Sequence, residues 1–125
     1  MKSLDQFHKQ KYLNLETFRK SGESMKTPVW FTQQGETIYV MTMANSGKVK
    51  RIRNNGRVNI APCKMDGKLV GTWVPAQACE INDPEKIKAV DRLLDQKYGL
   101  LKKMFGRRRA NEAVQDAILE IKIIE

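Results

Sequence analysis

Histidine and cysteine are scarce in this sequence, with one His and two Cys among 125 residues. His8 cannot complete a zinc site with Cys63 and Cys79, which stand 16 positions apart and form no metal clip. Two such cysteines make no disulfide framework either, and a thiol-reduced cytoplasmic setting is the simplest reading. No Gly-x-Ser-x-Gly elbow and no phosphate-binding Gly-x4-Gly-Lys loop occurs. Long apolar runs are also missing. The uncharged stretch from Thr37 to Gly47 spans 11 residues, whereas a membrane helix needs roughly 18 or more. Met1, Lys2, Ser3, Leu4 and Asp5 do not read as the start of a secretory leader. With nucleophiles and metal ligands this sparse, an enzyme built on this sequence leans on a bound cofactor for its chemistry.

The length fits one compact domain over residues 1–125, and a hydrophobic content of 41% suffices for a core. Ser21-Gly22, Gln34-Gly35, Asn55-Gly56 and Asp66-Gly67 are turn signals. They separate β-branched and aromatic segments that read as strands. The spacing predicts strands over Tyr12–Lys20, Ser24–Thr32, Glu36–Thr42, Arg57–Lys64 and Leu69–Ile81, and a last one over Val114–Ile124 with Leu119, Ile121 and Ile123 on one face. Pro28, Pro62 and Pro75 fall inside these strands and should mark edges, bulges or kinks. A short helix over Lys48–Asn54 is capped by Asn45 or Ser46. A longer one begins at Asp83-Pro84 and carries Ile87, Val90, Leu94, Tyr98, Leu101 and Phe105 on one face. Runs of strands with few helices argue a small barrel with helices outside it.

The net charge is +9, and it is unevenly placed. From Thr37 to Met65 there is no acid but six bases: Lys48, Lys50, Arg51, Arg53, Arg57 and Lys64. A second acid-free run, Gln96 to Asn111, holds Lys97, Lys102, Lys103, Arg107, Arg108 and Arg109. In the first run, Ser46-Gly47-Lys48 opens a helix, whose N-terminus offers unpaired amides and partial positive charge. Gly47 admits close approach, Ser46 adds a hydroxyl, and Lys48, Lys50 and Arg51 add formal charge. This is the make-up of a phosphate site. Thr27 and Thr42 could add hydroxyls. A solvated helix with a Ser cap is the plainer alternative. The second run reads either as a solvated helix end or as a polyanion-binding stretch. No helix-turn-helix or aromatic RNA-binding pattern accompanies it, which weighs against nucleic acid.

Tyr12-Leu13-Asn14-Leu15-Glu16-Thr17-Phe18, Thr27-Pro28-Val29-Trp30-Phe31 and Ile38-Tyr39-Val40-Met41-Thr42 together resemble the FMN-binding split barrel. Ser46-Gly47-Lys48-Val49-Lys50-Arg51-Ile52-Arg53, then Arg57-Val58-Asn59-Ile60-Ala61-Pro62-Cys63, sharpen the likeness to pyridoxamine 5′-phosphate oxidase-like proteins. The short subgroup of coenzyme F420-dependent enzymes is the nearest match, and Lys97-Tyr98-Gly99 extends it into the late helix. The resemblance implies a mainly β fold, a six-stranded antiparallel split barrel with peripheral helices. It also implies a homodimer with cofactor sites between protomers, and hydride transfer to or from a small organic substrate. By motif, Thr42, Ser46, Gly47, Lys48, Lys50 and Arg51 would hold the phosphate of FMN or F420. Thr27, Pro28, Val29 and Trp30 would follow the ring system, with Ala61, Pro62 and Cys63 nearby. Twelve bases in two runs lean towards the more anionic deazaflavin. The sequence stops at Glu125, soon after its last strand, which counts against activity on vitamin B6. A non-catalytic flavin or haem carrier is the alternative within this class.

Overall fold

In the computed structural model, residues 2–99 and 116–124 are described. The elements in chain order are α1 (Lys2–Asp5), β1 (Tyr12–Phe18), β2 (Ser24–Val29), β3 (Thr32–Gln34), β4 (Thr37–Met43), α2 (Gly47–Asn54), β5 (Arg57–Cys63), β6 (Val74–Ile81), α3 (Pro84–Tyr98) and β7 (Asp116–Ile123). The turn signals act as expected. Gly22 and Gly67 both take φ 91°, a left-handed value that suits glycine and closes the β1–β2 turn and the turn after β5.

All strands join one antiparallel sheet in the order β2-β1-β5-β6-β7-β4-β3. The terminal strands of that sheet, β2 and β3, are separated in sequence only by Trp30 and Phe31. Such a short link holds the ends of the two edge strands near each other, so the sheet curls into the split barrel, with no β2–β3 ladder among the described residues. Alternate residues of each strand face inward. Leu13, Leu15, Ile38, Val40, Val58, Ile60, Leu119 and Ile121 fill the interior, and Val49 and Ile52 of α2 join the same cluster. Side chains buried this way contribute roughly 1.5–3 kcal/mol each relative to exposure.

Opposite-facing residues of β4 and β7, Tyr39 and Ile118, pack under Val90, Leu94 and Tyr98 of α3. This is the helical face expected from the sequence. Ser46 caps α2, its Oγ accepting from the Val49 amide at 3.4 Å. Asp83 caps α3, accepting from the Glu85 amide at 3.0 Å, with Pro84 in the first turn. Leu101, Phe105 and Arg107 to Arg109 lie outside the described residues.

Two expectations need correction. Among the described residues there are seven strands, not six, because Ser24–Thr32 is broken at Trp30-Phe31 where the sheet turns its edge. Leu69–Ile81 is not one strand: β6 begins at Val74, and residues 64–73 form an arm. Leu69 keeps a single bridge to Cys63. Further along, the Gln6 side chain replaces a neighbouring strand. Its Oε1 accepts from the Thr72 amide at 2.9 Å and its Nε2 donates to the Thr72 carbonyl at 3.0 Å. Trp73 therefore precedes β6, with the Lys26 ammonium 5.7 Å from its ring centroid. The prolines sit as expected: Pro28 on an end strand, Pro62 just past the β5–β6 ladder and Pro75 second in β6.

Candidate functional site

The N-terminus of α2 gathers the phosphate candidates. Arg51 folds back beside it, and its Nε donates to the buried Thr17 Oγ1 at 2.6 Å. A Cβ on Gly47 would stand 2.7 Å from Arg51 Nη1. The missing side chain of Gly47 is thus the space that the guanidinium occupies. Burial, and then the charge of Arg19, holds the Arg51 pKa below its ordinary value. The partner of Arg51 is a neutral hydroxyl, so two cationic groups meet here without an ion-paired carboxylate among the described residues. Ser46 and Lys48 are half-buried and Lys50 is exposed. Arg53 is engaged elsewhere, its Nε and Nη2 donating to both oxygens of Glu80 at 2.7 and 2.9 Å.

Thr42 follows Ile38 and Val40 on the inner face of β4 and pairs with Ala117. It is buried at the end of the strand that leads into α2.

Strand register places the ring candidates on two faces. Directly paired residues share a face. Val29, Leu13 and Pro62 form one inward row, and Thr27 lies opposite the buried Leu15. Pro28, Asn14 and Ala61 form an outward row, and Cys63 pairs with Tyr12 on that side. Among the described residues β2 has β1 as its sole ladder neighbour, so its far edge carries unpaired amides and carbonyls. That edge links the two rows. Thr17, the partner of Arg51, lies opposite Met25 near the start of β2. The edge from Met25 to Val29 runs for roughly 13 Å at about 3.3 Å per residue. Cys63 is buried, and burial together with Asp66 raises its thiol pKa, so it contributes bulk rather than a thiolate.

Asn14 is a residue the sequence reading did not single out. It sits between Pro28 and Ala61, and its Nδ2 donates to the Gly67 carbonyl at 3.2 Å. Its buried Oδ1 has no hydrogen-bond partner among the described residues. The period-2 alternation of β1, with Leu13, Leu15 and Thr17 inward, was the available signal that Asn14 faces out. Arg19 lacked any such signal.

Trp30 stacks on Tyr98, with ring centroids 4.4 Å apart and an interplanar angle of 9°. The preceding residue of α3, Lys97, donates to the Phe31 carbonyl at 2.9 Å. Burial brings its pKa down to about 8. Lys97 lines a cavity of about 340 Å³ between the N-terminal turn and β3. None of the cofactor candidates lines that cavity.

Fold and cradle together define a split β-barrel with a cationic helix N-terminus. A family model, pyridoxamine 5′-phosphate oxidase, matches residues 2–125. The chain belongs to that family. No curated protein matches it in a sequence search. Solved structures share the fold at low identity. The heme storage protein HutZ of Vibrio cholerae has a TM-score of 0.74 at 13% identity, covering 99% of this chain and 89% of that one. A Listeria innocua protein described as a pyridoxamine 5′-phosphate oxidase gives 0.71 at 11%, covering 99% and 92%. An F420 reductase gives 0.62 at 14%, covering 98% and 93%. No helix among the described residues is long and apolar enough to cross a membrane.

Proposed function

We propose that this protein is a homodimeric oxidoreductase that uses FMN or coenzyme F420 and acts on a small organic substrate. The observation that carries the reading is the cradle at α2. Gly47 leaves room for Arg51, Arg51 is oriented by Thr17, and Arg19 adds a second positive charge that only an anion would relieve. The residues present therefore fit a phosphate-bearing group. Family membership and a shared fold with an F420 reductase point the same way.

In this reading a bound flavin or deazaflavin supplies hydride chemistry. The protein's part is binding and orientation. The α2 amides, Ser46, Lys48, Lys50 and Arg51 hold the phosphate, with Thr42 beside them. Thr27, Pro28 and Val29 offer backbone groups along the open edge of β2. Trp30, backed by Tyr98, is a stiff aromatic wall. Ala61, Pro62 and Cys63 give an apolar flank, and Asn14 Oδ1 is an acceptor awaiting a donor. Arg53 is held by Glu80, so the charge that favours the more anionic deazaflavin rests on Arg19, Lys48, Lys50 and Arg51.

The arm over residues 64–73 supports the dimer. Met65 is 73% exposed, and Leu69 and Val70 are exposed beside it. A monomer gains nothing from such a patch, whereas a partner protomer would bury it against the same face that carries Asn14.

The test is an absorption and fluorescence titration of the purified protein with FMN and with F420. Saturable binding of one of them, weakened at least tenfold by Arg51→Ala, is the expected result. Binding of neither would overturn the oxidoreductase reading. Binding without turnover across a reductant and acceptor panel would favour the carrier alternative. A salt-sensitive DNA shift in place of cofactor binding would favour a nucleic-acid role.

A further inference from the structure

The cavity beside Lys97 has the make-up of a second ligand site. Its floor is the rim of the core, Leu4, Phe7 and Phe31, each no more than 5% exposed, and its polar walls include His8, Lys9 and Lys97. The volume of about 340 Å³ falls at the lower end of small-molecule sites. Lys97 is fixed there, its Nζ 2.9 Å from the Phe31 carbonyl and 3.5 Å from the centroid of the Phe31 ring. Among the described residues no carboxylate forms an ion pair with it. A half-buried ammonium held only by a carbonyl and an aromatic face is short of a counter-charge.

Lys9 adds an independent sign. Its φ of 63° makes it the one non-glycine residue among those described with a left-handed backbone. An L-residue adopts that conformation at a cost, and such residues gather where a ligand is clamped. Here the strained residue sits on the wall of the same cavity.

We propose that this cavity binds a small organic carboxylate, with the Lys97 ammonium as its counter-ion and the buried Phe7–Phe31 pair as the floor beneath it. Phe7 and Phe31 meet edge to face, with centroids 5.9 Å apart, and each is 1% exposed, so that floor is packed in advance. A monoanion suits the site better than a phosphate dianion, because Asp5 lines the same cavity. The titratable groups that line the cavity with Lys97 are Asp5, His8 and Lys9 from the N-terminal turn, and the Tyr98 hydroxyl of its own helix shares the Phe31 carbonyl with it. The site shares no residue with the proposed cofactor cradle, so it stands whichever cofactor binds there.

Lys97 titrates near 8, so the counter-ion disappears in mild alkali. The experiment is calorimetric titration of the full chain with benzoate and with its neutral isostere benzamide, at pH 7.0 and 9.5. Benzoate should bind saturably at pH 7.0, and benzamide at least tenfold more weakly. Affinity for benzoate should fall about 30-fold by pH 9.5, where a group of that pKa keeps about 3% of its charge. Lys97→Arg, which stays charged, should bind benzoate at both pH values. Lys97→Met should lose it at both, with an unchanged circular dichroism spectrum. Absence of saturable heat from benzoate with the wild-type chain would overturn the proposal. So would equal affinity for benzoate and benzamide, or binding that ignores both pH and Lys97→Met.

Discussion

The Tyr98 hydroxyl lies 3.0 Å from the amide nitrogen and 3.0 Å from the carbonyl oxygen of the same residue, Phe31. It accepts from the N–H and donates on the carbonyl side, where the Lys11 carbonyl, at 2.7 Å, is a further acceptor. Phe31 is the residue at which the second strand breaks and the sheet changes edge. A strand break inside a protein strands two backbone polar groups, and burying them unpaired is costly. Tyr98 substitutes for the missing ladder. Burial raises the Tyr98 pKa, so the hydroxyl keeps its proton at physiological pH. The stack on Trp30 uses the ring of the same side chain, so α3 fixes the barrel seam and the aromatic wall together.

Tyr98→Phe should therefore destabilise the fold while preserving the stack. The ring remains, but the buried Phe31 N–H loses its acceptor. The expected cost is about 1–3 kcal/mol. Urea unfolding should show a lower midpoint at unchanged slope. An unchanged midpoint would mean that the seam is held by other contacts.

Much of the barrel was legible in the sequence because its strands alternate and its turns are punctuated by glycine. Gly22, Gly35 and Gly67 all take positive φ where turns were expected. The α2 cap and the apolar face of α3 follow local rules that a sequence displays. The break at Trp30-Phe31 was not legible. It is stabilised from α3, 67 residues away, and no local pattern announces that. The arm at 64–73 was hidden for a similar reason, since Gln6 captures Thr72 from 66 residues away. At the candidate site, Ser46, Gly47 and Arg51 could be read from helix-start chemistry. Thr17, Arg19 and Asn14 could not, because their placement depends on which strands become neighbours. Arg53 shows the converse: it belongs to the basic run in sequence, yet Glu80 takes it out of the site.

Gly47→Ala should separate the cradle from the fold. The added methyl would meet the tip of the Arg51 side chain, a flexible end that can swing aside. Stability should change by less than about 1 kcal/mol, since a helix prefers alanine to glycine. Arg51 would leave Thr17, and affinity for the phosphate-bearing cofactor should drop at least tenfold. Thermal melts alongside the cofactor titration check both halves. Undiminished affinity would remove Arg51 from the phosphate site.

The Arg53–Glu80 pair sets a pH dependence in acid. Hydrogen bonding from Arg53 lowers the Glu80 pKa in the folded chain. A carboxylate with a depressed folded-state pKa contributes stability above its unfolded value, about 4.3 for Glu, and loses it as pH falls through the folded value. Arg53→Gln should be less stable than wild type at pH 7, with the gap closing as pH falls below about 4. Guanidinium unfolding is unsuitable because salt screens the pair, so urea should be used. A gap that persists at low pH would assign the effect to packing.

Lys97 sets a dependence of the opposite sign in alkali. Its folded-state pKa is about 8, against about 10.4 for an unfolded lysine. Between those values the unfolded chain binds more protons than the folded one, so stability from this group rises with pH. Below about 8 the burden of a half-buried ammonium is present in full. Lys97→Met carries no such charge and should lack the rise. Urea midpoints for the two proteins between pH 7 and 10 give the comparison, with other titrating groups cancelling in the difference. The wild-type midpoint should gain on the variant across that window. A constant difference would show that Lys97 is solvated as an ordinary surface lysine, and that no ammonium in the cavity lacks a counter-ion.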